Sequence, residues 1–279
     1  MHAIHCAIIR GAEAEVASYC FIEHGAFGAV EREAQLYEVY YDPSQTATLL
    51  EQVCEAFQCS IESVGEIDTS VDYVTAANAT WYPIDADGIR IIPVLNEHVG
   101  RNKSEDILIR PGSGFGTGHH PTTRMLISAL TDFIRQTPSS RMMWDIGTGS
   151  GILALIYQKL TQGSVKAWEY DTLAVENAKE NLRLNNADIV LIEEPFSIEL
   201  SSPSLTDSPD IIIANLYSSL HMDFCSMYHR CLQPNGTLMI SGILHTQWSE
   251  LQHYFPAELW KPMAVSRLGD WMAASLMRT

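Results

Sequence analysis

Glycines stand at positions 147, 149 and 151 in the run Trp144-Asp145-Ile146-Gly147-Thr148-Gly149-Ser150-Gly151-Ile152-Leu153. An apolar stretch before them and a helical pattern after them predict a strand-to-helix turn, where a backbone without Cβ atoms can bend sharply and approach a ligand closely. Roughly twenty residues further on, Val165-Lys166-Ala167-Trp168-Glu169-Tyr170-Asp171 reads as a second strand ending in acids. That is the spacing at which a Rossmann-like site places the carboxylate that accepts hydrogen bonds from a ribose diol. Glu169 is the candidate for that part. Asp171 competes for it, but it immediately precedes a helical run and suits an N-cap at least as well. A dinucleotide fingerprint reads G-x-G-x-x-G. Here position 152 is Ile and the third glycine comes one residue early, which favours S-adenosylmethionine over NAD as the bound cofactor.

Two further stretches carry chemistry. Arg110-Pro111-Gly112-Ser113-Gly114-Phe115-Gly116-Thr117-Gly118-His119-His120-Pro121-Thr122-Thr123 holds four glycines in seven residues and a proline where a helix begins. Proline is preorganised for the first helical turn, whose free N–H groups attract a carboxylate; the methionine carboxylate of the cofactor is the guest that fits. Thr117 and Thr123 offer hydroxyls there, and Phe115 offers a cover for the adenosyl or sulfonium portion. Downstream, Asp210-Ile211-Ile212-Ile213-Ala214-Asn215-Leu216-Tyr217 is a buried strand followed at once by an amide and a phenol. An amide oxygen at a strand end can accept hydrogen bonds from an amine and aim its lone pair at a methyl donor, so Asn215 is the candidate catalytic residue. The alternative is that Asn215 only ends the strand. Adjacent His119 and His120 diverge on a loop and have no Cys or His partner at ligand spacing, so no metal site is expected.

These residues need elements to hold them. Residues 1–66 alternate as strand Ala3–Ile9, helix Ala12–Glu23, strands Ala26–Arg32 and Leu36–Tyr41, helix Ser44–Phe57 and strand Ser60–Glu66, the β-α-β-β-α-β order of a small ferredoxin-like α+β domain. Residues 67–104 read as a linker and lead-in strand, in which Trp81-Tyr82-Pro83-Ile84 and Ile89–Val94 are apolar. From residue 105 to 279 strands and helices alternate: helix Thr122–Arg135, strand Met142–Ile146, helix Ile152–Leu160, strand Val165–Tyr170, helix Leu173–Leu184, strand Ile189–Glu193, strand Asp210–Asn215, helix Ser218–Leu232 and strand Thr237–Ser241. That alternation predicts an α/β domain with a doubly wound, mostly parallel sheet and a ligand at the carboxyl ends of its strands. Two antiparallel edge strands, divided by Gly269-Asp270, are expected within residues 256–278.

Composition narrows the function. The net charge of −17 over 279 residues, with no offsetting basic stripe, argues against nucleic acid as a direct partner. Residues 1–66 carry eleven acids against only Arg10 and Arg32, which reads either as a solvating surface or as a docking face for a basic protein. No C-x-x-C pair occurs among the six cysteines, so reduced thiols are expected. No apolar run approaches the roughly 20 residues that span a bilayer, and the N-terminus lacks a signal-peptide pattern; a cytoplasmic setting follows, with no membrane partner.

Taken together, Gly114-Phe115-Gly116-Thr117-Gly118-His119-His120-Pro121-Thr122-Thr123, Asp145-Ile146-Gly147-Thr148-Gly149-Ser150-Gly151-Ile152-Leu153, Ala214-Asn215-Leu216 and Ser241-Gly242-Ile243-Leu244 resemble the PrmA family of bacterial methyltransferases, which act on a large-subunit ribosomal protein. The resemblance implies a Rossmann-like class I methyltransferase that takes methyl groups from S-adenosylmethionine to lysine side chains and the N-terminal amine of ribosomal protein eleven. It also implies that the N-terminal domain recognises this protein. Carried over by motif, the cofactor contacts are Thr123, Gly147, Glu169 and Asn215, beside Phe115, Thr117 and Gly149 from the residue reading. The family usually has Asp, Thr, Cys and Asp where Arg110, His119, Thr148 and Glu169 stand, respectively. Rival readings are a methyltransferase for another protein or a small amine, and a non-catalytic cofactor-binding or ribosome-associated protein. Intact glycines, Glu169 and Asn215 argue against the last.

Overall fold

Ile211, Ile212, Ile213 and Ala214 are all fully buried, the mark of a strand covered on both faces by helices. The computed structural model describes residues 5–23, 28–33, 35–41, 43–66, 83–94, 106–112, 114–137, 142–197 and 207–279, and the chain divides into two compact units, residues 1–78 and 79–279. In the first unit, β1 (His5–Arg10), β2 (Gly28–Glu33), β3 (Leu36–Tyr41) and β4 (Ser60–Glu66) form an antiparallel sheet in the order β2-β3-β1-β4. Helices α1 (Ala14–Glu23) and α2 (Pro43–Ala56) pack on it. Phe21, Leu50 and Val53 meet Ile9 and Val39 in one core, and this is the ferredoxin-like arrangement.

The second unit opens with β5 (Ile84–Ala86), β6 (Ile89–Pro93) and β7 (Ile107–Ile109). A tight turn through Asp87 and Gly88 joins the first two, and β7 runs parallel to β6. The apolar lead-in expected from the sequence thus includes β5 and β6, at Ile84 and residues 89–94, whereas Trp81 and Tyr82 lie outside the described residues. The main sheet has seven strands: β8 (Met142–Ile146), β9 (Ser164–Trp168), β10 (Val190–Ile192), β11 (Ile211–Asn215), β12 (Thr237–Leu244), β13 (Trp260–Leu268) and β14 (Trp271–Arg278), in the order β10-β9-β8-β11-β12-β14-β13. The first five are parallel and the last two antiparallel. Both C-terminal strands were expected at the edge; only β13 is there. β14 lies between β12 and β13, pairs with both, and is mostly buried.

Alternate residues of the parallel strands feed two cores. Met143, Ile211, Ile213 and Met239 face α3 (Pro121–Gln136) and α4 (Ile152–Thr161) through Leu126, Leu130 and Ile156. Trp144, Ile146, Ile212, Ala214 and Ile240 face the other layer, with Tyr228 from α6 (Ser218–Cys231) and Leu251 from the short α7 (Trp248–Leu251). Between β9 and β10 runs α5 (Thr172–Leu184). Strand order reverses direction between β8 and β11, which is the switch point where open α/β sheets bind ligands. Gly147 follows β8 there and Asn215 ends β11.

Candidate functional site

The turn after β8 is a backbone conformation that only glycine adopts cheaply. Gly147 has φ +70° and Gly149 φ +56°, in the left-handed region. A Cβ on Gly147 would stand 2.5 Å from Leu216 Cδ2, and one on Gly149 would collide with the Phe115 carbonyl oxygen. That oxygen accepts the Ser150 amide at 2.8 Å, so the loop before α3 is fastened directly to the glycine turn. On the far side, Gly147 N and Thr148 N both donate to Trp168 O at 2.9 Å, which ties the turn to the end of β9.

Glu169 lies across this turn. Its Oε2 accepts the Gly149 amide at 3.0 Å, and its Oε1 accepts those of Tyr170 at 2.9 Å and Asp171 at 3.1 Å. Asp171 is employed otherwise: its Oδ1 accepts Leu173 N at 3.0 Å and Ala174 N at 2.9 Å as the N-cap of α5. Tyr170, to which the sequence reading gave no role, is 69% exposed beside the carboxylate, an aromatic face open to a planar ligand.

Across the switch point, Asn215 Nδ2 donates to Thr122 Oγ1 at 3.1 Å and Thr123 Oγ1 at 3.4 Å. Both threonines are buried in the first turn of α3. Among the described residues Asn215 Oδ1 takes no hydrogen bond. Thr122 Oγ1 also lies 2.7 Å from His120 Nδ1, and the His120 ring caps α3 and sits edge-on between Phe115, at 5.2 Å, and Trp271, at 5.1 Å. Thr117 Oγ1 lies 3.4 Å from His119 Nδ1, away from this chain of contacts. From Glu169 the contacts run through Gly149, Phe115, His120, Thr122, Asn215, Leu216 and Gly147 back to Trp168 and Glu169, so they form a closed rim. The sequence reading brought Phe115, Thr123, Gly147, Gly149, Glu169 and Asn215 to it and missed His120 and Trp271. His120 carried a signal in its place just before Pro121; Trp271 carried none, because it reaches the rim only through the antiparallel insertion of β14.

Two buried titratable groups brace the rim from below. Asp145 accepts the Thr148 hydroxyl at 2.7 Å. Burial pushes its carboxyl up to about 7, against the hydrogen bonds of Thr148 and the Ala154 backbone and helped by the charge of Glu169. His221 lies 2.9 Å from Ser241 O through Nε2 and 3.3 Å from the Tyr228 hydroxyl through Nδ1. Burial pulls it down to about 4, against its hydrogen bonds to the Ser241 and Leu216 backbone. Ser241 O also accepts the Leu216 amide at 3.0 Å, so His221 holds the end of β11 to β12. Among the described residues no group of three or more His, Cys, Asp or Glu is placed to hold a metal ion, and no helix is long and apolar enough to cross a membrane.

The family described as "Ribosomal protein L11 methyltransferase (PrmA)" matches residues 21–279. This chain belongs to that family. A protein named ribosomal protein L11 methyltransferase from Bacillus cytotoxicus is 31% identical over 214 residues, covering 76% of this chain and 66% of that protein. One of the same name from Limosilactobacillus fermentum is 30% identical over 208 residues, covering 74% and 63%. The chain thus matches just under two thirds of the length of these relatives. The crystal structure of ribosomal protein L11 methylase from Lactobacillus delbrueckii subsp. bulgaricus has a TM-score of 0.61 and 25% identity, covering 71% of this chain and 100% of that one. The main sheet is therefore the Rossmann-like class I methyltransferase sheet.

The two braces give opposite stability slopes. Asp145 holds its proton more tightly folded than unfolded, so its contribution declines as pH rises from about 4 to about 7. His221 holds its proton less tightly, so its contribution grows as pH rises from about 4 to about 6.5. Melting temperatures measured against pH should show Asp145→Asn losing stability more steeply than wild type on acidification from pH 6.5 to 4. His221→Gln should lose less than wild type over the same span.

Proposed function

We propose that this protein transfers methyl groups from S-adenosylmethionine to lysine side chains and the N-terminal amine of ribosomal protein L11, in the cytoplasm. The observation that carries the reading is the pairing of two different binding chemistries at adjacent strand ends. After β8 and β9 a glycine cradle that a Cβ would fill lies under the Glu169 carboxylate; at the end of β11 two buried threonine hydroxyls accept from the Asn215 Nδ2, and among the described residues its oxygen takes no hydrogen bond. Family membership supplies the reaction class.

The cradle suits an adenosyl cofactor. Glu169 would accept hydrogen bonds from the ribose hydroxyls, Tyr170 offers its exposed face to the base, and the first turn of α3 at Thr123 suits a carboxylate. S-adenosylmethionine supplies a sulfonium methyl, whose transfer by in-line displacement needs alignment and exclusion of water rather than a metal. Because Thr122 and Thr123 occupy Asn215 Nδ2, the amide is oriented and its oxygen remains to accept from an attacking amine. Phe115, His120 and Trp271 wall the approach, keeping water from the acceptor. Its lone pair must be free. A free lysine titrates near pH ~10.4, so the amine loses its proton to solvent before it is aimed.

The first unit supplies the complement to a basic protein. Glu13, Glu51, Glu55, Glu62 and Glu66 are exposed, and Glu62 is paired with Arg10. A protein substrate rich in lysine would be drawn to this surface by charge, an attraction that salt screens beyond about 8 Å at physiological ionic strength.

Four measurements test these parts separately. Glu169→Ala should weaken S-adenosylmethionine binding by roughly 1.5–3 kcal/mol, the worth of hydrogen bonds to a charged group; calorimetry on the folded variant decides it, and unchanged affinity would move the ribose contact elsewhere. Asn215→Ala should lower kcat in single-turnover assays at saturating cofactor on the order of a hundredfold, the cost of about 1 Å of misplacement. The wild-type rate on lysine should climb between pH 7 and 9. Glu51→Lys with Glu55→Lys should raise KM for the ribosomal protein and flatten its salt dependence while leaving cofactor affinity unchanged; an unaltered KM would remove this face from substrate recognition.

A further inference from the structure

Three asparagines stand at four-residue intervals on the inner face of α5: Asn177, Asn181 and, as its C-cap, Asn185. Asparagine is a poor helix former because its amide competes with the backbone for hydrogen bonds, and a row of three turned inward needs a reason. It lies in β7. That strand pairs with β6 along one edge, and its other edge is buried and would leave N–H and C=O groups without partners.

The asparagine amides take the place of a neighbouring strand. Asn185 Oδ1 accepts Leu108 N at 2.9 Å and its Nδ2 donates to Leu108 O at 2.7 Å. One helical step back, Asn181 Oδ1 accepts Arg110 N at 2.7 Å, while its Nδ2 reaches Ser150 O at 2.9 Å and Arg110 O at 3.4 Å. Four residues of helix advance about 6 Å and two residues of strand about 6.6 Å, so amides spaced by four meet strand residues spaced by two. The register places Asn177 opposite Gly112. There the ideal Cβ position of Gly112 is 2.6 Å from Asn177 Cγ, and that of Gly114 is 2.8 Å from Asn177 Oδ1; side chains at either position would push the loop away.

This third rung is half made. Asn177 Nδ2 donates to Arg110 O at 3.0 Å. Among the described residues its buried Oδ1 has no hydrogen-bond partner, in a residue 8% exposed, and the Gly112 amide makes none either. Beyond Gly112 the same loop carries Phe115, whose carbonyl is fastened to the glycine turn. Asn181 grips that turn as well, at Ser150 O.

We propose that Asn177, Asn181 and Asn185 are positioning residues that set residues 110–112 and, through them, Phe115 against the glycine turn, and that the last rung, Gly112 N–H to Asn177 Oδ1, is made when cofactor binds. The proposal rests on the reading of this cleft as an S-adenosylmethionine site. It separates the ladder into two rungs that maintain the fold and one that reports on the ligand. None of the three side chains touches the reacting atoms.

The test uses the full chain, with S-adenosylhomocysteine as the probe, and reads hydrogen exchange at individual amides, calorimetric affinity and melting temperature. In the wild type the Arg110 amide should be protected with and without the probe, and the Gly112 amide should slow about tenfold or more when the probe is added. Asn177→Ala should weaken probe binding roughly three- to tenfold, the worth of one hydrogen bond, and abolish the slowing at Gly112 while leaving Arg110 protected. Asn181→Ala should expose Arg110 in both states and lower the melting temperature; where that variant does not fold, Asn181→Asp, which keeps the acceptor for Arg110 N, should retain the protection. A Gly112 amide that exchanges alike with and without bound probe overturns the last rung, as does an Asn177→Ala chain that binds the probe as tightly as wild type. A wild-type chain that binds no S-adenosylhomocysteine overturns the cofactor reading and the last rung with it, while Arg110 exchange still decides the other two rungs.

Discussion

The Phe115 carbonyl oxygen is the junction on which the cleft depends. It accepts the Ser150 amide and occupies the place that a Cβ on Gly149 would fill, so two segments distant in sequence share one backbone contact with no side chain between them. Everything on the rim is measured from this contact: the Phe115 ring beside His120, the His120–Thr122–Asn215 chain, and the Glu169 carboxylate on the Gly149 amide. Ser150 reinforces it, because its hydroxyl donates to Gly116 O and its carbonyl receives Asn181. A side chain at position 149 would collide with the Phe115 backbone and separate the loop from the turn.

That junction is held by polar groups buried below it, and burying them is expensive unless every one is paired. Asp145 spends its carboxylate on Thr148 within the turn, His221 bridges the ends of β11 and β12, and the asparagines of α5 bond the outer edge of β7. In each case a side chain completes a strand end or strand edge that the sheet leaves open. A hydrophobic residue of similar size at Asn181 or Asn185 would leave backbone groups of residues 108–110 unpaired. The apolar cores supply most of the stability; these bonds specify where the strand ends stand relative to one another.

Signals carried within a few residues were legible in the sequence. The glycine turn, the strand that leads to Glu169 (expected to Tyr170, ending at Trp168), Asp171 as an N-cap and the proline start of α3 each rest on local backbone rules, and the apolar run before Asn215 marks a strand buried on both faces whatever its neighbours. Contacts that arise from topology were not. The insertion of β14 between β12 and β13 leaves no local mark, so both C-terminal strands read as edges and Trp271 gave no sign of meeting His120. Asn177, Asn181 and Asn185 were hidden for another reason: polar residues at helical spacing read as a solvated face, and only the register of β7 against α5 shows that this face is turned inward.

Because about 1 Å of misplacement costs an in-line transfer on the order of a hundredfold, the proposed reaction needs a fixed separation between donor and acceptor, and the sheet is the element that can set it. Ile146 pairs with Ala214 across the parallel strands β8 and β11, and the next residue on each strand is Gly147 or Asn215. Adjacent strands are fixed about 4.8 Å apart by their hydrogen bonds, so in the proposed reaction the floor under the donor and the amide that aims the acceptor would inherit a spacing that no loop movement alters. Leu216 adds a second brace, its side chain packing where Gly147 has no Cβ. On the same reading, the residues flanking Phe115 would govern how tightly the cofactor is held, and the strand ends how well the two reactants are aligned. Affinity and rate would thereby fall to different parts of one rim, because the pairing of β8 with β11 does not depend on the loop.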